Sequence, residues 1–239
     1  MYRDGQDENR PDNDKSGQVY IRIRETLLLY RLPPQTQLNI RNIAEGMNVS
    51  PTPVRESLIR LAHEEIILMV PGRGFFTKPL SVRELESDYE LALLIAKHAI
   101  EKNIHNFSIE GIFKPNGFEQ GAEELTVSAN MARSWTIFLE ALYERIASLS
   151  ANNKFIRIMR QFNDRTTLIR EIDLLQSNRF CQITDDTAEL VTLLIDHNAA
   201  KAIQNLERQN NAKLQLLYEL VKEGNARSLG AAGLTKTSF

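Results

Sequence analysis

Arg41, Arg55 and Arg73 are the residues whose type and spacing suggest chemistry. Arg41 stands near the start of one apolar-periodic segment and Arg55 in the first turns of the next, while Arg73 is set between glycines in Pro71-Gly72-Arg73-Gly74. A guanidinium offers a planar fork of donors that fits a phosphate or the major-groove edge of guanine. Ser50 and Thr52, just before Arg55, add hydroxyl groups to the same place. Metal and catalytic chemistry find less support. His63, His98, His105 and His197 are scattered, Cys181 is the single cysteine, and no Glu-x-x-His occurs. A transition-metal site needs several converging ligands, and a nucleophile needs a base beside it. The expectation is therefore no metal, no cofactor and no enzymatic activity.

The elements that must position these residues read clearly between Leu38 and Thr77. Ile40, Ile43, Ala44 and Met47 recur at helical spacing and predict a short helix with one buried face. Asn48 tolerates positive φ and can make the turn that follows. A second helix starts at once, either with Ser50 as cap and Pro51 in the first position or with Thr52 and Pro53 in those places. Val54, Leu58, Leu61 and Ala62 line its buried face, leaving Thr52, Arg55 and Glu56 outward. Ile66 to Val70 and Phe75 to Lys78 are β-prone runs on either side of Pro71 to Gly74, which predicts a hairpin. Two short helices, a tight turn and a hairpin spell a winged helix-turn-helix, whose second helix reads major-groove base edges.

Charge is distributed accordingly. The whole chain is at −2, yet residues 19 to 80 carry eight basic and five acidic side chains, whereas the segments before and after are both net acidic. Phosphates reward such local positive charge, and a dimer doubles the patch. No apolar run approaches the roughly 18 residues of a membrane span, and the polar, acidic N-terminus has no signal-peptide order, so a cytoplasmic protein with no membrane partner is expected.

Residues 1 to 17 are expected to form a disordered arm, 18 to 80 the winged domain with a first helix from Val19 that Pro33-Pro34 stops, and 226 to 239 a loose tail. Between them, 81 to 225 is helical by periodicity, with Ser81 as a cap and helices expected over 82–104, 118–131, 134–150, 153–176, 184–196 and 198–222. Gly111 to Gly117 is the clearest break. The predicted fold class is mainly α: a winged helix-turn-helix followed by an all-α antiparallel bundle.

LPPQTQLNIRNIAEGMNVSPTPVRESLIRL followed by PGRGFF resembles the DNA-binding domain of GntR-type bacterial transcription regulators. Leu32-Pro33-Pro34, Thr52-Pro53-Val54-Arg55-Glu56-Ser57-Leu58 and Gly72-Arg73-Gly74 fall in register with it. The resemblance implies DNA contacts from Arg41, Ser50, Thr52, Arg55, Gly72 and Arg73. Pro51 departs from the pattern, since most members have arginine there, and implies an altered operator. A helical domain of this size behind the winged helix resembles the FadR subfamily. That likeness implies a homodimer on a two-fold operator, with repression relieved by a small effector, an organic acid or a fatty acyl thioester, bound in the C-terminal helices. Many subfamily members hold a metal through an Asp, a His four residues on, and two later histidines. Those positions fall on Glu140, Glu144, about Thr187 and about Gln209, so the metal is expected to be missing.

Trp135, Phe138, Tyr143, Phe155 and Phe162 are candidates for a pocket lining or for plain core. Arg133, Glu140, Glu144 and Arg157 are the candidate effector contacts, with Arg145, Arg160 and Arg165 as further cations for an acid. The competing readings are an all-α enzyme and a helical interaction module that uses its winged domain for protein contacts.

Overall fold

The computed structural model describes residues 15–28, 32–118 and 127–230, and the chain falls into two compact units, Met1–Pro79 with Arg227–Phe239, and Leu80–Ala226. No helix among the described residues is long and apolar enough to cross a membrane.

In the first unit α1 (Lys15–Leu28), β1 (Gln37–Leu38), α2 (Ile40–Met47), α3 (Pro51–His63), β2 (Ile67–Val70) and β3 (Gly74–Thr77) follow in order. Val19, Ile23 and Leu27 of α1, Ile43 and Ala44 of α2, and Val54, Leu58 and Leu61 of α3 bury the faces that periodicity assigned to α2 and α3 and close the core with Ile67 and Phe75. α1 starts four residues before Val19, so Lys15 to Gly17 belong to a helix and not to the arm. That first turn is polar, and apolar periodicity is silent on it. Residues 1–14, and Tyr30 and Arg31 at the expected end of the helix, lie outside the described residues.

Asn39 caps α2 by accepting hydrogen bonds from the amides of Arg41 and Asn42 at 2.9 and 3.2 Å. Asn48 ends it in the left-handed region, φ 53° and ψ 49°, as the turn required. A Cβ-bearing residue without a short polar side chain is strained there. Asn48→Ala is expected to lower stability by about 1–2 kcal/mol in urea unfolding followed by circular dichroism, while Asn48→Gly should stay close to the parent.

The sheet has the order β1-β3-β2, antiparallel throughout, with Leu38 opposite Phe75 and Val70 opposite Gly74. β1 is absent from the sequence expectation because two residues are too few to alternate. Thr77 fastens the strand to the proline segment, its hydroxyl donating to the carbonyl of Pro33 at 2.5 Å and accepting from the amide of Thr36 at 2.9 Å.

The second unit holds α4 (Val82–Asn103) with a 3-10 turn at Ile104–Asn106, α5 (Ala129–Ser148), α6 (Asn153–Leu174), α7 (Ser177–Ile195) and α8 (Ala199–Gly230), whose last turn passes into the first unit. Ser81 caps α4, as expected, and Asn152 caps α6. Trp135, Phe138, Leu142 and Ile146 of α5 centre the core with Ile100, Phe180, Leu194 and Leu206. These aromatics are packing residues, and Phe155 only edges onto His98.

Three helix expectations change. Val127 and Ser128 are not helical, and α5 runs unbroken from Ala129 because Ala132 and Arg133, where a break was placed, favour a helix; residues 119–126 lie outside the described set. α7 begins at Ser177, not near 184, since its buried stripe uses Thr184 and Thr187, whose hydroxyls donate back to the carbonyls of Cys181 and Ile183 at 2.9 and 2.6 Å. α8 continues through Gly224 to Gly230, so the expected tail begins helical. A Cβ at Gly224 would stand 2.5 Å from Leu80 Cδ1, which explains a glycine inside this helix. Next to it the Asn225 amide both accepts from the Leu80 N–H at 3.0 Å and donates to the Leu80 carbonyl at 3.1 Å.

Candidate functional site

Ser50 is the residue before α3 and Pro51 its first, so the earlier of the two possible caps is used. The Ser50 hydroxyl makes no capping hydrogen bond. It is thus available to an incoming group. Thr52, Arg55, Glu56 and Ile59 follow at helical spacing on the exposed side, opposite Val54, Leu58 and Leu61. Arg41 is exposed in the first turn of α2, and among the described residues neither Arg41 nor Arg55 forms an ion pair. Arg60 behaves differently. It pairs with Glu64 at 3.0 Å and lies 3.7 Å over the ring of Tyr20, which itself donates to Glu64 at 2.6 Å. Burial and Glu64 push the Tyr20 phenol up to about 12. One arginine of α3 thus ties α1 to α3, and the other points away from the fold.

The wing is built for its tip. Gly72 and Gly74 take φ of 72° and 99°, values that side chains rarely adopt, and Arg73 donates its amide to Val70 at 3.0 Å. Gln37 of β1 holds the Arg73 carbonyl at 2.8 Å, and the guanidinium rests 5.4 Å from the Phe76 ring centroid. Neither Gln37 nor the Asn39 cap figured in the sequence reading, although an Asn before an apolar-periodic run is a legible cap signal.

The second unit contains a small cavity, partly open to solvent, lined among others by Tyr89, Leu139, Tyr143, Arg170, Arg179, Ile183 and Lys213. Its charged lining residues come from α6, α7 and α8. Arg170, 4% exposed, lies 4.8 Å over Phe162 and 5.4 Å over Tyr143, and its Nη2 donates to Asn163 at 2.9 Å. Among the described residues its Nη1 has no hydrogen-bond acceptor and is ion-paired with Glu140 Oε1 at 3.7 Å. The Tyr89 hydroxyl is likewise buried without a hydrogen-bond partner among the described residues. Burial pushes the phenols of Tyr89 and Tyr143 up. Asp173, fully buried, accepts from Arg179 at 2.9 and 3.1 Å and pairs with Lys213. Burial alone would raise its carboxyl, but Lys213 and Arg179 outweigh it and hold the group below the usual carboxylate range.

The effector candidates chosen from sequence lie elsewhere or behind this cavity. Arg133 pairs with Glu171 at 2.6 Å, Glu144 with Arg160 at 2.7 Å, and Arg157 is exposed; none of the three is a lining residue. Glu140 stands behind Arg170 and accepts from the Thr167 hydroxyl at 2.6 Å, its carboxyl raised mainly by burial. Arg165 is spent on Asp88 and Arg145 on the carbonyls of Ser108 and Glu110. The missed residues had a signal: Asn163, Thr166, Thr167, Arg170 and Asp173 recur at helical spacing among the buried apolar residues of α6.

The four positions of the subfamily's metal pattern do not suit a cation. Glu144 is paired, Thr187 donates to its own helix, Gln209 donates to Asn205 at 2.6 Å, and the Arg170 guanidinium sits beside Glu140. Among the described residues no group of three or more His, Cys, Asp or Glu could hold a metal ion.

Among the described residues, three helices and three strands with exposed arginines on α2 and α3, followed by a helical domain, define a winged helix-turn-helix protein. Residues 15–77 match the family described as bacterial regulatory proteins, gntR family, and the N-terminal domain is a GntR-type helix-turn-helix domain. The chain is similar to the Nta operon transcriptional regulator of Aminobacter aminovorans, 25% identical over 81% of this chain and 92% of that one. Over a shorter stretch it is similar to the HTH-type transcriptional regulator McbR of Escherichia coli K12, 32% identical over 35% of this chain and 40% of that one. In fold it is similar to a putative transcriptional regulator GntR from Rhodococcus sp. RHA1, with TM-score 0.66 and 14% identity over 86% of this chain and 98% of that one. Each of the three is described as a transcriptional regulator, the Rhodococcus one as a putative one. The family match ends at β3.

Proposed function

We propose that the protein is a DNA-binding transcription regulator of the FadR type, a homodimer that binds a two-fold operator and releases it when a small molecule enters the helical domain. The observation that carries the DNA-binding part is the division of labour among arginines: Arg60 is locked into the scaffold, whereas Arg41, Arg55 and Arg73 present their guanidinium groups outward from α2, α3 and the wing tip. The base-edge and phosphate contacts fall to Ser50, Thr52 and Arg55 at the start of α3, with Arg41, Gly72 and Arg73 on the backbone to either side. Pro51 offers neither charge nor donor, so the operator differs from the common family type at the base pair an arginine there would read. The cavity around Arg170 is the effector site in this reading.

A gel-shift titration with the DNA upstream of the chain's own gene tests it. Specific binding should weaken steeply as salt rises, with log K falling by about 0.9 per phosphate neutralised for each tenfold rise in salt. Retention of DNA at 50 mM salt that is unchanged at 200 mM, or no shift at micromolar protein, rules the regulator out and favours a protein-contact role for the winged domain.

A further inference from the structure

The outer stripe of α3 carries one charge that the fold leaves unused. Val54, Ser57, Leu58 and Leu61 are buried, which turns Thr52, Glu56 and Ile59 most directly outward, with Arg55 on their flank. These four outward residues stand at i, i+3, i+4 and i+7, the spacing with which the recognition helix of a homeodomain reads the major groove. Among the described residues the Glu56 carboxylate accepts no hydrogen bond and forms no ion pair. Its natural neutraliser is Arg60, since opposite charges four residues apart meet on a helix surface. Arg60 is turned away instead, held by Glu64 at 3.0 Å and by the Tyr20 ring at 3.7 Å. Glu56 is therefore a bare anion on the face that Thr52 and Arg55 also occupy.

Phosphates repel such a group, and a carboxylate brought against DNA loses its water at a cost unless a donor replaces it. The major groove offers few donors. Guanine presents two acceptors, thymine an acceptor and a methyl group, and adenine sets an acceptor beside its amino group, whereas the edge of cytosine presents the N4 amino group alone. We propose that Glu56 is a specificity-determining residue of α3, its carboxylate accepting from the N4 amino group of a cytosine in each half of the operator and excluding guanine from that place. In the reversed pair the O6 and N7 of guanine would face a carboxylate that has no other partner. Arg55, one residue earlier, offers a fork that suits guanine, so the two adjacent side chains ask for complementary bases. The inference rests on taking α3 as the helix that reads DNA.

The test selects sites from a pool of randomised duplexes with the full chain, and then with Glu56→Ala and Glu56→Gln. The parent should recover a site in which one position of each half is cytosine. Exchanging that C·G pair for G·C should weaken the parent about tenfold and Glu56→Ala less than about twofold, with the preferences at all other positions kept. Glu56→Gln should admit adenine there, because an amide pairs with both N6 and N7. Glu56→Ala should also hold scrambled duplex more tightly than the parent at low salt, one repelling charge having gone. Both variants should melt within about 2 °C of the parent, since no contact of the fold is removed. Base preferences that are the same in the parent and Glu56→Ala, or that change only at a position other than cytosine, overturn the assignment even where scrambled duplex is held more tightly. A Glu56→Ala melting temperature lower by more than about 5 °C also overturns it, because the residue then belongs to the scaffold. In each of these cases the parent still selects a site and the regulator reading stands. A parent that selects no site overturns that reading together with the inference.

Discussion

Asp173→Ala is expected to lower the stability of the helical domain by about 3–5 kcal/mol, read from urea unfolding at pH 7. The carboxylate is fully buried on α6, and it is the shared partner of Arg179 on α7 and Lys213 on α8, which are only 11% and 12% exposed. Removing it strands two nearly buried cations, and the cost is mostly that of the unpaired charges and not the net worth of the pairs. Replacing Asp173, Arg179 and Lys213 together by apolar residues of similar volume should therefore recover much of the loss. A loss below about 1 kcal/mol in the single variant would show that solvent reaches the cluster freely. The pH dependence has the same origin. Because the folded-state pKa of Asp173 lies below its unfolded value, the stabilisation is fully present above about pH 4 and is lost as pH falls through the folded-state value. The parent should thus lose stability on acidification through that window, and Asp173→Ala should lose less over the same range.

Arg55→Ala is expected to weaken specific operator binding by about 1–3 kcal/mol, roughly five- to 150-fold in Kd, with helix content and oligomeric state unchanged. Among the described residues Arg55 makes no ion pair, so its removal breaks none there. Arg60→Ala, one turn further along α3, is the useful contrast: it breaks the contacts to Glu64 and Tyr20 and should act on the fold before it acts on affinity. Fluorescence-anisotropy titrations of both variants against operator and scrambled duplex separate the two effects. If Arg55→Ala binds operator as the parent does, the reading face of α3 lies elsewhere.

What could be read from the sequence divides along physical lines. The winged domain was legible because its apolar residues obey one period per element, and its turns use residues with few conformational alternatives: Asn48 in the left-handed region, Pro51 at a helix start, Gly72 and Gly74 in the hairpin. The likeness to GntR regulators and the outward position of Arg55 came from the same segment. β1 escaped because two residues carry no pattern. In the helical domain the apolar faces are visible, but α7 begins ahead of its buried threonines, and the last helix, expected to end at 222, runs on through Gly224, which packs closely against Leu80. The cavity was not found for a deeper reason. Its defining side chains, Tyr89, Arg170, Arg179 and Lys213, come from α4, α6, α7 and α8, and only packing brings them together. Exposed arginines such as Arg133 and Arg157 are indistinguishable in sequence from a buried one such as Arg170, unless the polar residues of α6 are seen to share its buried stripe.

The amide lock between Asn225 and Leu80 gives α8 the geometry of a lever. Lys213 is fixed to the buried cluster at one point of the helix, and Asn225 grips both polar atoms of the Leu80 backbone at another, about 18 Å further along at 1.5 Å per residue. The two attachments thus hold α8 and the Leu80 peptide together within the helical unit. The residue before Leu80, Pro79, is the last of the winged unit's main segment.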